Sequence, residues 1–136
     1  MSGEPMRVRT VLLLSLVILL QGCASSNWRA AHWFSNKSDK IQFDLNQLNS
    51  DGLQGPSDGL RTLSYEFCIP DDINAVDQVM AIDPTLVVYK HSRGRVQCSE
   101  KEYLAIGHTG QRNYQDILNK LANLNYVKSI QEALFE

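Results

Sequence analysis

Apolar and polar residues alternate in the middle of the chain in a way that predicts a β-strand. Every second residue from Leu63 to Ile69 is apolar or aromatic, and the residues between them are polar, apart from Cys68. A period of two is typical of a strand that buries one face and leaves the other open. Pro70 follows directly and ends the pattern.

Two later stretches carry apolar residues at the spacing of an amphipathic helix. The first begins after Asp71 or Asp72, either of which can cap a helix N-terminus. It ends before Pro84, because proline disfavours helical backbone at the preceding residue. The predicted apolar faces consist of Ile73, Val76, Val79 and Met80 in the first helix, and of Tyr114, Ile117, Leu118, Leu121 and Leu124 in the second.

Further strands are predicted between and after the two helices. Residues 85–90 form a run with high β-propensity, and the turn-prone Ser92-Arg93-Gly94 follows it. Residues 95–98 are expected to continue as a short returning strand, and residues 103–107 form another strand. This region therefore predicts a hairpin between the first helix and the second.

The last element fits two structures. Residues 127–135 carry apolar residues at helical spacing, but the turn-prone Asn123-Leu124-Asn125 before them favours a closing strand. With a strand at the end, the order is β-α-β-β-α-β. This order predicts an α+β fold of the ferredoxin-like split type, with a four-stranded antiparallel sheet and two helices on one face. The folded domain is expected to span residues 60–136.

Residues 23–59 are predicted to be a lipidated N-terminus and a flexible tether. Serine, asparagine and glycine dominate this stretch, and such a composition buries too little apolar surface to offset chain entropy. The alternating apolar residues of 41–45 favour packing against the flank of the domain. For Trp28 and Trp33, contact with a bilayer surface or a partner and packing on the domain are equally consistent with the sequence.

An apolar run at residues 11–20 follows two arginines and precedes Leu20-Gln21-Gly22-Cys23. The run is too short to span a bilayer as a helix, which needs about twenty residues. The order resembles a bacterial lipoprotein signal. The resemblance implies removal of residues 1–22, a diacylglycerol thioether on the Cys23 sulfur and acylation of the new amino group. Ala24 lacks the aspartate that retains such proteins in the inner membrane, which implies the outer membrane, facing the periplasm.

Two alternatives concern this signal. An ordinary secretory signal cut nearby would discard Cys23, and it would export the chain equally well. Translation starts at Met1 or at Met6, and Met6 is favoured because the acidic Glu4 is out of place in a basic leader. Both alternatives leave the mature chain in the cell envelope.

The charge of the mature chain restricts its partners. Without Glu4, Arg7 and Arg9, the 13 Lys and Arg fall to 11 and the 15 Asp and Glu fall to 14, which gives a net charge near −3. A nucleic-acid partner is therefore not expected, because phosphate binding needs a concentrated basic face. Membrane attachment would rest on acyl chains, each buried methylene contributing about 0.8 kcal/mol.

The chain has three cysteines, and lipidation of Cys23 leaves Cys68 and Cys98 as a pair. Two cysteines in an oxidising compartment favour a disulfide. In the predicted fold, Cys68 ends the first strand, and Cys98 precedes the antiparallel strand beside it. The bridge would staple the open face of the sheet, because Cys68 lies opposite the apolar residues.

The same cysteines have alternative chemistry. Cys68 and Cys98 together with His91 and His108 offer the ligand types of a tetrahedral metal site. The pair is also compatible with free or redox-active thiols. The chain has no C-x-x-C or H-x-x-H pair here, so the disulfide is the favoured prediction and neither a metal nor a cofactor is expected.

The sequence favours a non-catalytic envelope module that binds a protein or another envelope component. Candidate surfaces are the open sheet face, a free strand edge and the turn at Arg93 and Arg95. The alternative is a small anion-binding or hydrolytic domain that uses Arg93, Arg95 and His108, since a basic turn can hold a carboxylate or phosphate. A third hypothesis is a thiol redox or metal-binding module that uses Cys68 and Cys98.

Overall fold

The computed structural model describes residues 39–135. The predicted signal peptide, Cys23, Trp28 and Trp33 lie outside the described residues. In chain order, the elements are a 3-10 helix at Leu45–Gln47, β1 (Leu53–Gln54), β2 (Arg61–Thr62), β3 (Ser64–Pro70), α1 (Ile73–Ile82), β4 (Val87–Tyr89), β5 (Glu102–His108), α2 (Tyr114–Ala122) and β6 (Gln131–Glu132).

The predicted α+β class is confirmed, and the main sheet has four antiparallel strands in the order β4-β5-β3-β6. The two long strands, β3 and β5, lie at its centre and pair along their whole length, from Ser64 opposite His108 to Pro70 opposite Glu102. The short strands β4 and β6 form the two edges. A separate two-stranded sheet of β1 and β2, which the sequence did not predict, precedes this unit.

The core lies on the sheet face that carries Tyr65, Phe67 and Ile69, all of which are buried. These side chains form one apolar cluster with residues of both helices. The cluster includes four of the apolar residues predicted for this helix face, Tyr114, Ile117, Leu118 and Leu121, and the fifth, Leu124, follows the end of α2 and packs against the cluster. The strand predicted from alternation and the second helix predicted from spacing therefore pack together as expected.

The predicted apolar face of α1 is partly wrong. Val79 is buried, but Ile73 and Met80 are 68% and 45% exposed, and Ala75 is buried instead. The helix is capped by Asp72, whose side chain accepts a hydrogen bond from the Asn74 amide. Asp83, which directly follows the helix, fixes this rotation.

The end of α1 is anchored by a buried carboxylate, Asp83, which is 0% exposed. Its oxygens accept hydrogen bonds from the Tyr65 hydroxyl, the Thr85 amide and hydroxyl, and the Gln111 side-chain amide. Because Asp83 must face these donors, the face of α1 that carries Ala75 and Val79 is turned towards the sheet. Burial, followed by the neighbouring Asp83 carboxylate, raises the pKa of Tyr65 far above its ordinary value.

The segment before β2 is part of the folded unit. The apolar side chains of residues 41–45 pack against the core, as their alternation predicts. Leu48 is also buried, whereas the polar composition predicted a flexible tether up to residue 59. The amide of Gln42 donates to the Ile130 carbonyl, and the Ile130 amide donates to the Lys40 carbonyl. A few apolar side chains are enough to hold this segment on the domain, because they pack against a core that the rest of the chain forms.

Two other predicted strands differ from the structure. Residues 95–98 form no strand: residues 94–97 form a turn, in which Gly94 and Gln97 adopt left-handed φ angles of 61° and 62° that extended strands do not contain. The closing strand predicted within residues 127–135 is present, but β6 comprises only Gln131–Glu132. It pairs with β3 through Tyr65 opposite Glu132.

Tyr65→Phe tests the buried anchor through the pH dependence of stability. Above pH about 10, the unfolded chain loses the tyrosine proton while the folded chain keeps it, so stability falls as pH rises. Between pH about 9 and about 11, we expect the free energy of unfolding of the wild type to fall by about 1.4 kcal/mol more than that of Tyr65→Phe, because the full slope is reached only above the pKa of the unfolded tyrosine. Urea unfolding between pH about 9 and about 11 measures this difference. Tyr89→Phe, which removes a more exposed hydroxyl, is the control, and parallel curves for wild type and Tyr65→Phe contradict the assignment.

Candidate functional site

The loop between β4 and β5, residues 90–101, folds back onto the sheet face opposite the core. Successive strand residues point to opposite faces, so Glu66 and Leu104 lie on this second face. The Val96 amide donates to Glu66 Oε1 at 2.7 Å. A Cβ atom on Gly94 would lie 2.6 Å from Leu104 Cδ1, so the loop backbone rests directly on the leucine. Glu66 and Leu104 are consequently 4% and 2% exposed.

A disulfide between Cys68 and Cys98 fixes this loop to β3, which confirms the predicted pairing. Their Cα atoms are 5.4 Å apart, within the range that a disulfide requires. The Cys98 amide also donates to the Arg93 carbonyl at 2.8 Å. The loop is thereby closed on itself from Arg93 to Cys98 and bonded to the centre of the sheet.

The structure does not bring His108 to the two arginines of the loop. Gly94 lies over Leu104, and His108 is four residues further along β5, about 13 Å at the rise of a strand. The His108 ring nitrogen Nδ1 accepts a hydrogen bond from the Gly110 amide at 3.3 Å, in the turn that follows the strand. The predicted set of Arg93, Arg95 and His108 is therefore not one site in this fold.

Arg93 instead lines a cleft of about 430 Å³ that we call the charged cleft. The cleft is bounded by both ends of the β4–β5 loop and by the first residue of β5. Its lining residues are Lys90, His91, Ser92, Arg93, Ser99, Glu100 and Glu102. A second hollow of about 430 Å³ shares Lys90, His91 and Ser92 and extends along the edge strand β4.

Glu102 is the structural carboxylate of the charged cleft. It accepts hydrogen bonds from the Ser99 amide at 2.9 Å and from Lys128 Nζ at 3.2 Å. The Ser99 backbone hydrogen bond, followed by the Lys128 contact, lowers the pKa of Glu102 against the opposing effect of burial. Glu102 therefore stays ionised and holds the end of the loop against β5.

The other charges of the cleft are exposed and differ in sign. Lys90 Nζ lies 5.6 Å from the centre of the Tyr103 ring, a cation–π contact that positions the ammonium group. Arg93 and Glu100 are exposed, and neither forms a salt bridge with another side chain of residues 39–135. The cleft thus presents a positive and a negative group that the described part of the chain leaves unpaired.

The sequence indicated only part of the charged cleft. The Ser92-Arg93-Gly94 turn drew attention to Arg93, but Glu100 belongs to no motif. The contribution of Lys90 depends on the register that places Tyr89 opposite Leu104 and so brings Lys90 close to Tyr103. Only the folded loop joins these residues.

The second sheet face is only partly open. The loop covers the area around Cys68 and Leu104, while Val87 and Tyr89 on the edge strand are 53% and 44% exposed. By register, Val87 and Tyr89 lie on the same face as Leu104. The exposed apolar part of this face therefore adjoins the charged cleft through Tyr89 and Lys90.

Comparison of the chain with protein-family models, curated proteins and solved structures finds no match. Among residues 39–135, no group of three or more His, Cys, Asp or Glu side chains has an arrangement that could hold a metal ion. No helix within these residues has both the length and the apolar character needed to cross a membrane.

Gly94→Ala tests whether the loop depends on close contact with the sheet. The new Cβ atom would meet Leu104 and would stand at a left-handed backbone position, so we expect a loss of about 1–3 kcal/mol in the free energy of unfolding. Gly59→Ala is the matched control, because a Cβ there meets nothing closer than 3.5 Å. It should change stability by less than about 0.5 kcal/mol. Equal urea unfolding curves for the two variants would show that the loop does not rest on Leu104.

Proposed function

We propose that this chain is a lipid-anchored protein of a bacterial envelope and that its domain is a non-catalytic binding module. The lipoprotein-like signal ending at Cys23 supports the anchor. The disulfide between Cys68 and Cys98 supports an oxidising compartment such as the periplasm, because cytosolic thiols are kept reduced. The proposed location is the outer membrane, with the domain facing the periplasm.

We also propose that the main unit is an elaborated ferredoxin-like split fold. The succession β3-α1-β4-β5-α2-β6 and the spatial order β4-β5-β3-β6 support this assignment. The 3-10 helix, β1 and β2 are additions before the first strand of the unit. Such a fold hosts many activities, so the functional proposal rests on the cleft and not on the topology.

The observation that carries the binding proposal is the exposed charged cleft on a loop that a disulfide holds in place. Fixing the loop before a ligand arrives lowers the entropy cost of binding. The exposed Val87 and Tyr89 beside it add apolar contact area of the kind that partner surfaces use. The proposed partner is an envelope protein or another envelope component, and the membrane is contacted through the lipid anchor.

The two alternative functions draw less support from the described residues. A hydrolytic site of Arg93, Arg95 and His108 would need the loop that rests on Leu104 to reach His108, which lies four residues further along β5. A metal module would need free thiolates at Cys68 and Cys98, whereas these sulfurs are bonded to each other. A redox module would need a thiol to reach this disulfide, and Cys98 is only 1% exposed. The binding module is therefore the function that the geometry supports best.

Cys23→Ser tests the proposed anchor. Serine cannot form the thioether, so we expect the variant to leave the membrane fraction or to accumulate as the uncleaved precursor. Cell fractionation, followed by intact mass of the membrane-bound wild type, measures both results. Ser25→Ala is the matched control and should stay in the membrane fraction with the same acyl mass. A Cys23→Ser protein that fractionates like the wild type, together with no acyl mass on the wild type, would contradict the anchor.

A further inference from the structure

The charged cleft combines side chains of both charge signs. Arg93 and Glu100 carry opposite charges, line the same space of about 430 Å³, and form no salt bridge with each other. Lys90 and Glu102 extend this pattern, although Glu102 already contacts Lys128. The volume is near the lower end of the range of small-molecule sites, about 300–1,000 Å³. The space therefore suits a ligand of few atoms.

We propose that the charged cleft binds a small zwitterionic ligand of the amino-acid or short-peptide class, which deepens the proposed binding function and rests on it. The ligand carboxylate contacts the Arg93 guanidinium, with Lys90 nearby, and the ligand ammonium contacts Glu100. Arginine suits the first role because its planar group binds a carboxylate through two parallel hydrogen bonds. The hydroxyl groups of Ser92 and Ser99 line the same space.

Charge selection explains why both ends of the ligand are needed. A simple anion that approaches Arg93 also meets the carboxylates of Glu100 and Glu102, and a simple cation meets Lys90 and Arg93. A zwitterion of matching orientation meets an opposite charge at each end. The cleft therefore disfavours ligands that carry only one of the two charges.

The backbone of the cleft is preorganised on both sides. The Arg93 carbonyl accepts from the Cys98 amide, and Cys98 is bonded to Cys68 on β3. On the other side, the Ser99 amide donates to Glu102 Oε2 at 2.9 Å. Residues 93 and 100 thus lie on either side of a fixed segment, and ligand binding orders only exposed side chains.

The test is an NMR titration of the mature protein, with its disulfide intact, using three probes. Alanyl-alanine carries both charges, N-acetyl-alanyl-alanine lacks the ammonium group, and alanyl-alanine amide lacks the carboxylate. We expect saturable amide shifts at Arg93 and Glu100 with alanyl-alanine. Each blocked probe should bind about fivefold more weakly, as expected when one exposed ion pair is lost.

Arg93→Ala and Glu100→Gln should each weaken alanyl-alanine binding about fivefold, whereas Arg112→Ala, a substitution of a highly exposed arginine outside the cleft, should leave it unchanged. Equal binding of the acetylated probe would reduce the cleft to an anion site and overturn the proposal. Equal binding of the amide probe, or no shift at these residues with any probe, would overturn it as well. Fractionation of Cys23→Ser tests the anchor separately, so failure of the ligand class is distinguishable from failure of the envelope assignment.

Discussion

The covalent bond between Cys68 on β3 and Cys98 in the β4–β5 loop holds the second face of the sheet together. Without this bond, the loop contacts the sheet mainly through the hydrogen bond between Val96 and Glu66 and through the contact of the Gly94 backbone with the Leu104 side chain. Closing a chain separation of 30 residues contributes roughly 3–4 kcal/mol in the chain-entropy model. This is a large share of the 5–15 kcal/mol by which small domains are typically stable, so the shape of the charged cleft depends on this bond.

One buried carboxylate lies against each face of the sheet, and each one fixes an element that apolar packing alone would leave free to shift. On the core face, Asp83 accepts from Tyr65, Thr85 and Gln111 and sets the rotation of α1. On the second face, Glu66 accepts from the Val96 amide and positions the loop. No buried side-chain nitrogen or oxygen of the described residues lacks a hydrogen-bond partner. Polar contacts therefore specify the arrangement, while the apolar cluster provides most of the burial.

Local patterns in the sequence predicted β3, α2 and the cysteine pair, because each depends on spacing that the chain shows directly. The rotation of α1 was not predicted, because Ile73 and Met80 are more apolar than Ala75 and only the distant donors to Asp83 turn the Ala75 side towards the core. The packing of residues 41–45 on the domain was predicted from their alternating apolar residues, but their partner Ile130 was not, because it lies far along the chain. The charged cleft joins residues that share no motif, and the separation of His108 from Arg93 follows only from strand register.

The proposed function requires export of the chain and a lipid on Cys23, and the charged cleft requires the disulfide that closes its loop. Intact mass of the protein purified from membranes, alkylated with and without prior reduction, tests these claims in one measurement. The account predicts added acyl mass and two thiols, Cys68 and Cys98, that react only after reduction. Thiols at Cys68 and Cys98 that react without reduction, on a protein that carries no lipid, would contradict both the compartment and the fixed cleft.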